Sequence, residues 1–128
     1  MKHQKPPTVR DGFRFAGAGL LYAVLTQRNF RIHLVIASLV IILSCWLQIS
    51  RPSWAILVVV IGYVLTAEIF NTASEVLVDL ASPDYHPLAK QVKDLAAGGV
   101  LVSAIVAVVV GVLILGPQLL TRLSMLLE

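Results

Sequence analysis

Three long apolar runs, separated by short polar segments, dominate the sequence. They cover about residues 32–49, 54–80 and 88–115. A helix needs about 20 predominantly apolar residues to cross the hydrocarbon core of a bilayer. The pattern therefore predicts three transmembrane helices.

The segments between the runs predict where the chain turns. Pro52 lies in a short polar stretch, residues 50–53, which predicts a tight turn with Ser53 as the N-cap of the second span. Residues 81–87 contain two prolines and predict a loop. Gly116 and Pro117 are expected to end the third span, and a short amphipathic tail with Arg122 and Glu128 follows.

The region before the first run, residues 8–30, mixes apolar and basic positions. Phe13 and Phe15 lie among Arg10, Arg14 and Arg28. This pattern favours a helix that lies in the membrane interface. A fourth span is the alternative, but the uncharged apolar stretch, residues 15–25, is short.

Composition and charge agree with a membrane protein and indicate its orientation. The chain is 58% hydrophobic and 13% charged, with a mean hydropathy of +0.87, against roughly 45–50% and about 25% in soluble domains. Six of the ten basic residues precede the first run, and no cleavable signal peptide is expected. The positive-inside rule places the N-terminus and the loop after the second span in the cytoplasm. No strand, Walker loop or nucleic-acid partner is expected.

One face of the second span carries polar residues at membrane depth. In a helix they fall at i, i+3, i+4, i+7 and i+11, and they are Glu68, Asn71, Thr72, Glu75 and Asp79. A charge inside the membrane costs about 2.5–3.5 kcal/mol, so this face is a functional-site hypothesis. Because the helix is longer than the bilayer is thick, Glu68 is expected near the hydrocarbon boundary and Asp79 closest to water.

The two glutamates are expected to have different roles. Glu68 and Glu75 are about 10 Å apart along the helix axis, too far to share one ion symmetrically. The deeper Glu68 suits a general base, and Glu75 suits a hard cation such as Mg²⁺. The alternative is a pair of structural carboxylates bonded to neighbouring helices.

Polar residues also open the third helix. Lys90, Lys93 and Asp94 lie where the chain re-enters the membrane, and a lysine there can neutralise phosphate. The alternative is an ordinary solvated helix start. His86, between Tyr85 and Pro87, fits an interfacial residue or N-cap better than a ligand.

Three segments together resemble a known family. They are RNFRIH before the first span, AEIFNTASEVLVD in the second, and DYHPLAKQVKDLAAGGVLVSA after it. In order and spacing they resemble the small prokaryotic diacylglycerol kinases, and RNFRIH and HPLAK look closer to the undecaprenol kinase branch. The resemblance implies an all-α homotrimeric enzyme of the bacterial cytoplasmic membrane, with three spans and a surface helix. It implies transfer of the γ-phosphate of ATP to a lipid alcohol, with Mg²⁺ as cofactor.

The resemblance also implies roles for individual residues. Glu68 matches the catalytic base that contacts the lipid hydroxyl, with Asn71 beside it, and Glu75 matches the carboxylate that holds Mg²⁺ against the nucleotide. The remaining nucleotide contacts that it implies are Asp79, Tyr85, His86, Lys93 and Asp94.

One position departs from the family pattern. The family usually has an Asn-Glu pair before the first span, whose glutamate is a second metal ligand, and this chain has Thr26-Gln27. Gln27 can coordinate through its carbonyl oxygen, but with less charge. Two consequences are possible. Metal binding relies more on Glu75 and the ATP phosphates, or the chain is a kinase with slower or altered activity.

Two other classes of protein also fit the pattern. In a small proton- or cation-coupled transporter, Glu68 would bind the proton or cation and would have to be accessible from each side of the membrane in turn. The acidic residues here cluster toward one surface instead. A membrane scaffold would keep them for assembly alone. The span composition does not discriminate diacylglycerol from undecaprenol, and trimerisation rests on the resemblance.

Overall fold

The computed structural model describes residues 8–127, which form four helices and no strand. The helices are α1 (Val9–Thr26), α2 (Arg28–Leu47), α3 (Arg51–Ala81) and α4 (Pro87–Leu127). The predicted all-α fold is confirmed for this part of the chain. Lys2 and Lys5, which contribute to the basic N-terminal region, and Glu128 of the tail lie outside the described residues.

Three of the four helices are long and apolar enough to cross a membrane. They are α2, α3 and α4, with mean hydropathies of 2.1, 2.0 and 2.9 over their best windows. Helix α1, with 18 residues, is not among them. This fits a helix in the interface better than a fourth span.

A single residue, Gln27, separates the surface helix from the first span. Its backbone is extended, with φ −99° and ψ 112°. The predicted boundaries of 8–30 and 32–49 were therefore wrong by several residues, because the chain turns at Gln27 and Arg28 already opens α2. Thr8 caps α1 through a reciprocal pair of hydrogen bonds with Asp11.

The turn between α2 and α3 comes slightly earlier than predicted. Gln48 ends α2 in the left-handed conformation, with φ 52° and ψ 48°. Ser50, and not Ser53, is the N-cap of α3, because its side chain accepts a hydrogen bond from the backbone N–H of Ser53. Pro52 lies in the first turn of α3. Backbone N–H groups in the first turn have no carbonyl partner within the helix, so a proline there loses no helical hydrogen bond.

Helix α4 continues through Pro117, so the predicted end at Gly116 and Pro117 was wrong. Leu115 is buried in the core of the α2–α3 turn, and Leu119 packs against that core. Helix packing on both sides of a proline can maintain the helix despite one lost hydrogen bond. Arg122 in the tail lies over the Trp46 ring, 5.9 Å from its centroid.

The antiparallel order of the spans defines two ends of the bundle. The turn end contains the buried apolar cluster Leu47, Ile49, Leu57 and Leu115. The opposite end, called the acidic end below, joins the start of α2, the last third of α3 and the start of α4. At 31 residues, α3 is about 46 Å long and exceeds a hydrocarbon core of about 30 Å.

Candidate functional site

The polar face of α3 is buried at its deeper part and open toward its end. Glu68, Asn71 and Thr72 are buried. Glu75 is half-buried, and the side chain of Asp79 is 67% exposed. Burial by neighbouring helices therefore decreases along this face from Glu68 to Asp79.

Two side-chain contacts organise the buried part. The Asn71 Nδ2 donates a hydrogen bond to the Glu75 Oε1 at 3.1 Å, which links the two residues across one helical turn. The His33 Nε2 of α2 lies 3.3 Å from the Glu68 Oε1. The His33 contact is close enough for an ion pair, but the N–H is not aligned as a hydrogen bond to this oxygen.

Three buried polar atoms in this region have no hydrogen-bond partner among residues 8–127. They are the Glu68 Oε1, the Asn71 Oδ1 and the Thr72 Oγ1. Most buried polar groups in proteins are hydrogen-bonded, and an unpaired one costs about 1–3 kcal/mol. Three such atoms within little more than one helical turn make this part of α3 the candidate site.

One ion pair connects α3 to the start of α4, and a second lies within α4. The Lys93 Nζ donates to the Asp79 Oδ1 at 2.6 Å, and Lys90 pairs with Asp94 one turn along α4. The structure therefore brings Lys93 to the exposed end of the acidic face. Because both pairs are substantially exposed, they contribute little stability.

The remaining predicted residues, Tyr85, His86 and Gln27, lie in the segments that connect the helices. Tyr85 is 82% exposed and His86 is also exposed. The His86 Nδ1 accepts a hydrogen bond from the Leu88 N–H, as an N-cap does. The Gln27 Nε2 donates to the Thr26 Oγ1 at 3.3 Å, and no hydrogen bond among the described residues joins Gln27 to Glu75.

The acidic end fits Mg²⁺ only as an ion that also binds phosphate. No group of three His, Cys, Asp or Glu side chains converges within residues 8–127, so a closed protein cage is not formed there. Mg²⁺ is usually held by one or two carboxylates together with substrate phosphates. The half-buried Glu75, oriented by Asn71, is compatible with that kind of site.

An apolar cavity of about 460 Å³ lies between the three spans and reaches the acidic end. Its walls come from α2, α3 and α4, and His33 is the one polar side chain among the described residues that line it. His33 therefore touches both the apolar cavity and the buried carboxylate.

Sequence reasoning did not assign His33 to the site. The available signal was an ionisable residue in the first turns of an apolar span, which is a site hypothesis by default. Its partner could not be inferred, because the contact depends on how α2 packs against α3. The pairing of Lys93 with Asp79 was missed for the same reason.

The fold and site define a multi-span helical membrane protein with a buried carboxylate at one end of its bundle, and sequence comparison assigns this class to a family. The sequence model of the family described as prokaryotic diacylglycerol kinase matches residues 14–115. This range includes the three apolar runs and every candidate site residue from Gln27 to Asp94.

Individual relatives give the same result. A diacylglycerol kinase of Synechocystis sp. is 44% identical over 119 residues, which cover 92% of this chain and 68% of the relative. An undecaprenol kinase of Bacillus subtilis is 40% identical over 107 residues, which cover 84% of this chain and 87% of the relative. A diacylglycerol kinase of Escherichia coli is 32% identical over 95 residues, which cover 74% of this chain and 78% of the relative.

The chain belongs to the prokaryotic diacylglycerol kinase family and is a bacterial membrane lipid kinase. The resemblance stated from the motifs is confirmed, and the match to an undecaprenol kinase over 87% of its length supports similarity to that branch. The transporter alternative is not favoured.

Proposed function

We propose that this kinase transfers the γ-phosphate of ATP to the hydroxyl of a membrane lipid alcohol, diacylglycerol or undecaprenol, at the cytoplasmic membrane surface. The observation that carries the proposal is the buried Glu68 carboxylate, which lies one helical turn from the unpaired buried atoms of Asn71 and Thr72. A lipid hydroxyl can donate to the Glu68 carboxylate, and further polar groups of the substrates can pair with the other two residues.

Glu68 is the proposed general base. Its carboxylate takes the hydroxyl proton while the lipid oxygen bonds to the γ-phosphorus, and the bond from that phosphorus to the bridging oxygen of ADP breaks. Kinase sites contribute mainly positioning and charge stabilisation to such a transfer. The buried, largely dry position of Glu68 strengthens its interactions with bound groups.

Glu75 and Lys93 are the proposed contacts for the charged phosphates. Glu75, held by Asn71, would bind Mg²⁺, with Gln27 as a weaker neutral ligand. A bound Mg²⁺ ion neutralises phosphate charge. Lys93 lies beside Asp79 at the exposed end of the face, where its ammonium can contact a phosphate of the nucleotide. Tyr85, His86 and Asp94 are the proposed remaining nucleotide contacts.

The apolar cavity offers a place for the first part of the lipid chain. It runs from His33 toward the turn end between the spans and is otherwise apolar. Its volume of about 460 Å³ is within the usual range of ligand pockets, about 300–1,000 Å³. A chain seated there would bring its hydroxyl toward Glu68.

Orientation and assembly complete the proposal. The basic residues before α2 favour a cytoplasmic N-terminus, which puts the acidic end beside cytoplasmic ATP. A homotrimer is proposed from the family resemblance. Accessibility labelling of single cysteines near each end in intact cells, and the mass of the purified protein in detergent, measure these two properties.

The experiment that tests the function is a phosphorylation assay with purified protein. The protein is incubated with γ-labelled ATP, Mg²⁺ and, separately, diacylglycerol, undecaprenol and a lipid without a hydroxyl. Label is expected in one or both alcohols and not in the third lipid. Unlabelled alcohols under all conditions would contradict the proposed reaction.

Replacement of the base gives the first specific prediction. Glu68→Gln keeps the shape of the side chain but removes its basicity, so turnover is expected to fall by about 10²–10⁴-fold. The oligomeric state and the helix content are expected to stay unchanged. Wild-type turnover in this variant would exclude Glu68 as the base.

A further inference from the structure

We propose that His33 is a positioning residue that orients the Glu68 carboxylate for proton abstraction. The inference rests on the proposed function, because it concerns the same base. It begins from one contact between two spans: the His33 Nε2 of α2 lies 3.3 Å from the Glu68 Oε1 of α3. The side chain of Glu68 is 3% exposed and that of His33 is 20% exposed.

Glu68 has few groups that could hold its carboxylate. A buried carboxylate is costly unless it is paired and hydrogen-bonded. Within residues 8–127, His33 is the one basic side chain at ion-pair distance from Glu68. The Asn71 amide nitrogen donates to Glu75 instead. His33 is therefore the group in place to fix the rotation of the Glu68 carboxylate.

The contact is close but not aligned as a hydrogen bond. The Glu68 Oε1 has no hydrogen-bond donor in the described chain although the imidazole is 3.3 Å away. A modest rotation of either side chain would direct the Nε2–H at this oxygen. With one oxygen held in this way, the other is presented to the lipid hydroxyl in a defined direction, which is a precondition for efficient transfer.

The step requires no additional reactant. The hydroxyl proton moves to Glu68, the lipid oxygen bonds to the γ-phosphorus, and ADP leaves with the electrons of the broken bond. His33 keeps its own proton and donates it only as a hydrogen bond. Its role is therefore to position the base, and it is not itself the base.

Because His33 also lines the cavity, the variants must separate its role as a hydrogen-bond donor from its packing against the cavity wall. His33→Leu keeps an apolar group of similar size beside the cavity and removes the N–H donor. His33→Gln keeps an N–H donor of similar reach, whereas His33→Asn carries the same amide on a shorter side chain. Ser38→Ala, on the same helix at an exposed position, is the matched control.

The test measures kcat and KM for ATP and lipid with the purified full-length variants. His33→Leu is expected to lower kcat about 10- to 100-fold, with the KM for ATP within about twofold, because the lost orientation affects the transfer step. His33→Gln is expected to keep at least about tenfold more activity than His33→Leu and His33→Asn. Ser38→Ala is expected to match the wild type.

A double variant tests whether His33 acts through Glu68. If it does, His33→Leu combined with Glu68→Gln is no slower than Glu68→Gln alone. Wild-type kcat in His33→Leu, an additive loss in the double variant, or equal activity of the Gln and Asn variants would each overturn the proposal. The Gln and Asn comparison remains decisive if His33→Leu does not fold.

The results also separate this inference from the proposed function. If Glu68→Gln is inactive while His33→Leu is fully active, only the role of His33 fails. If Glu68→Gln retains wild-type turnover, the assignment of the base fails, and with it the positioning role.

Discussion

The two ends of the helical bundle treat their buried polar groups differently. At the turn end, the fully buried Ser44 donates from its Oγ to the Val40 carbonyl at 2.7 Å. At the acidic end, Glu68, Asn71 and Thr72 each have a buried polar atom without a partner among the described residues. Within residues 8–127, the unpaired buried side-chain atoms therefore all lie at the acidic end.

The difference indicates that the turn end maintains the fold and that the acidic end is the candidate ligand site. Apolar side chains packed at the turn end contribute van der Waals contacts, the main attraction between helices inside a bilayer. Unpaired groups at the acidic end reduce stability unless a ligand satisfies them. Substitutions at the two ends should therefore change stability and activity separately.

The largest effect on stability is expected for Leu57→Ala at the turn end. Leu57 is 2% exposed within the apolar cluster, and removing a buried leucine costs about 2–5 kcal/mol. Unfolding in mixed micelles with increasing denaturing detergent measures the change. Because Leu57 also lines the apolar cavity, the KM for lipid is expected to rise, whereas the kcat of the folded protein at saturating lipid should match the wild type.

Val59→Ala is the control for this prediction, because Val59 is on the same helix and 70% exposed. It is expected to change stability much less. If Leu57→Ala were as stable as the wild type but catalytically slow, the two ends would not have the separate roles inferred here.

Thr72→Val at the acidic end should have the opposite effects, with higher stability and lower activity. Valine has a similar shape and removes a buried hydroxyl without a partner, so the free energy of unfolding should rise by about 1 kcal/mol. If the hydroxyl pairs with substrate, kcat/KM should fall about five- to tenfold, the kinetic equivalent of one hydrogen bond. Detergent unfolding and the labelled-ATP assay measure both quantities; unchanged activity would show that Thr72 has no contact with substrate.

A smaller effect is expected for Gln27→Glu, between α1 and α2. A carboxylate in place of an amide oxygen adds a negative ligand, so the Mg²⁺ concentration for half-maximal activity should fall by roughly two- to tenfold. Titration of activity with Mg²⁺ at fixed ATP measures it. Gln118→Glu makes the same chemical change toward the turn end and should leave the Mg²⁺ dependence unchanged; an unchanged requirement in Gln27→Glu would argue against Gln27 as a ligand.

The smallest effect concerns the cap of α1, away from both ends. Hydrogen bonds from the Thr8 hydroxyl and backbone N–H lower the pKa of Asp11 below its usual 3.8. Because the pKa is lower in the folded state, the cap stabilises α1 at neutral pH and is lost as the pH falls through that lowered value. Amide chemical shifts in the first turn of α1 should follow this titration, and Asp11→Asn should abolish it. A titration at or above the usual value would contradict the capping contact.

The prediction of the helices succeeded where it depended on local sequence, and its errors share one cause. Apolar runs of sufficient length predicted α2, α3 and α4. The errors at Gln27, Ser50 and Pro117 are all helix boundaries, where one or two backbone angles or a packing contact decide the outcome. Pro117 is the clearest case, because Leu115 and Leu119 pack on either side of it.

The sequence by itself determined the membrane class, the helical face that carries Glu68, Asn71, Thr72, Glu75 and Asp79, and the family. Helical periodicity places such residues on one side of α3 whatever surrounds them. Only the tertiary structure decided that His33 lies against Glu68, that Lys93 pairs with Asp79, and that three buried atoms lack partners. Those contacts join different helices or depend on burial between them, and no spacing along one helix can specify them.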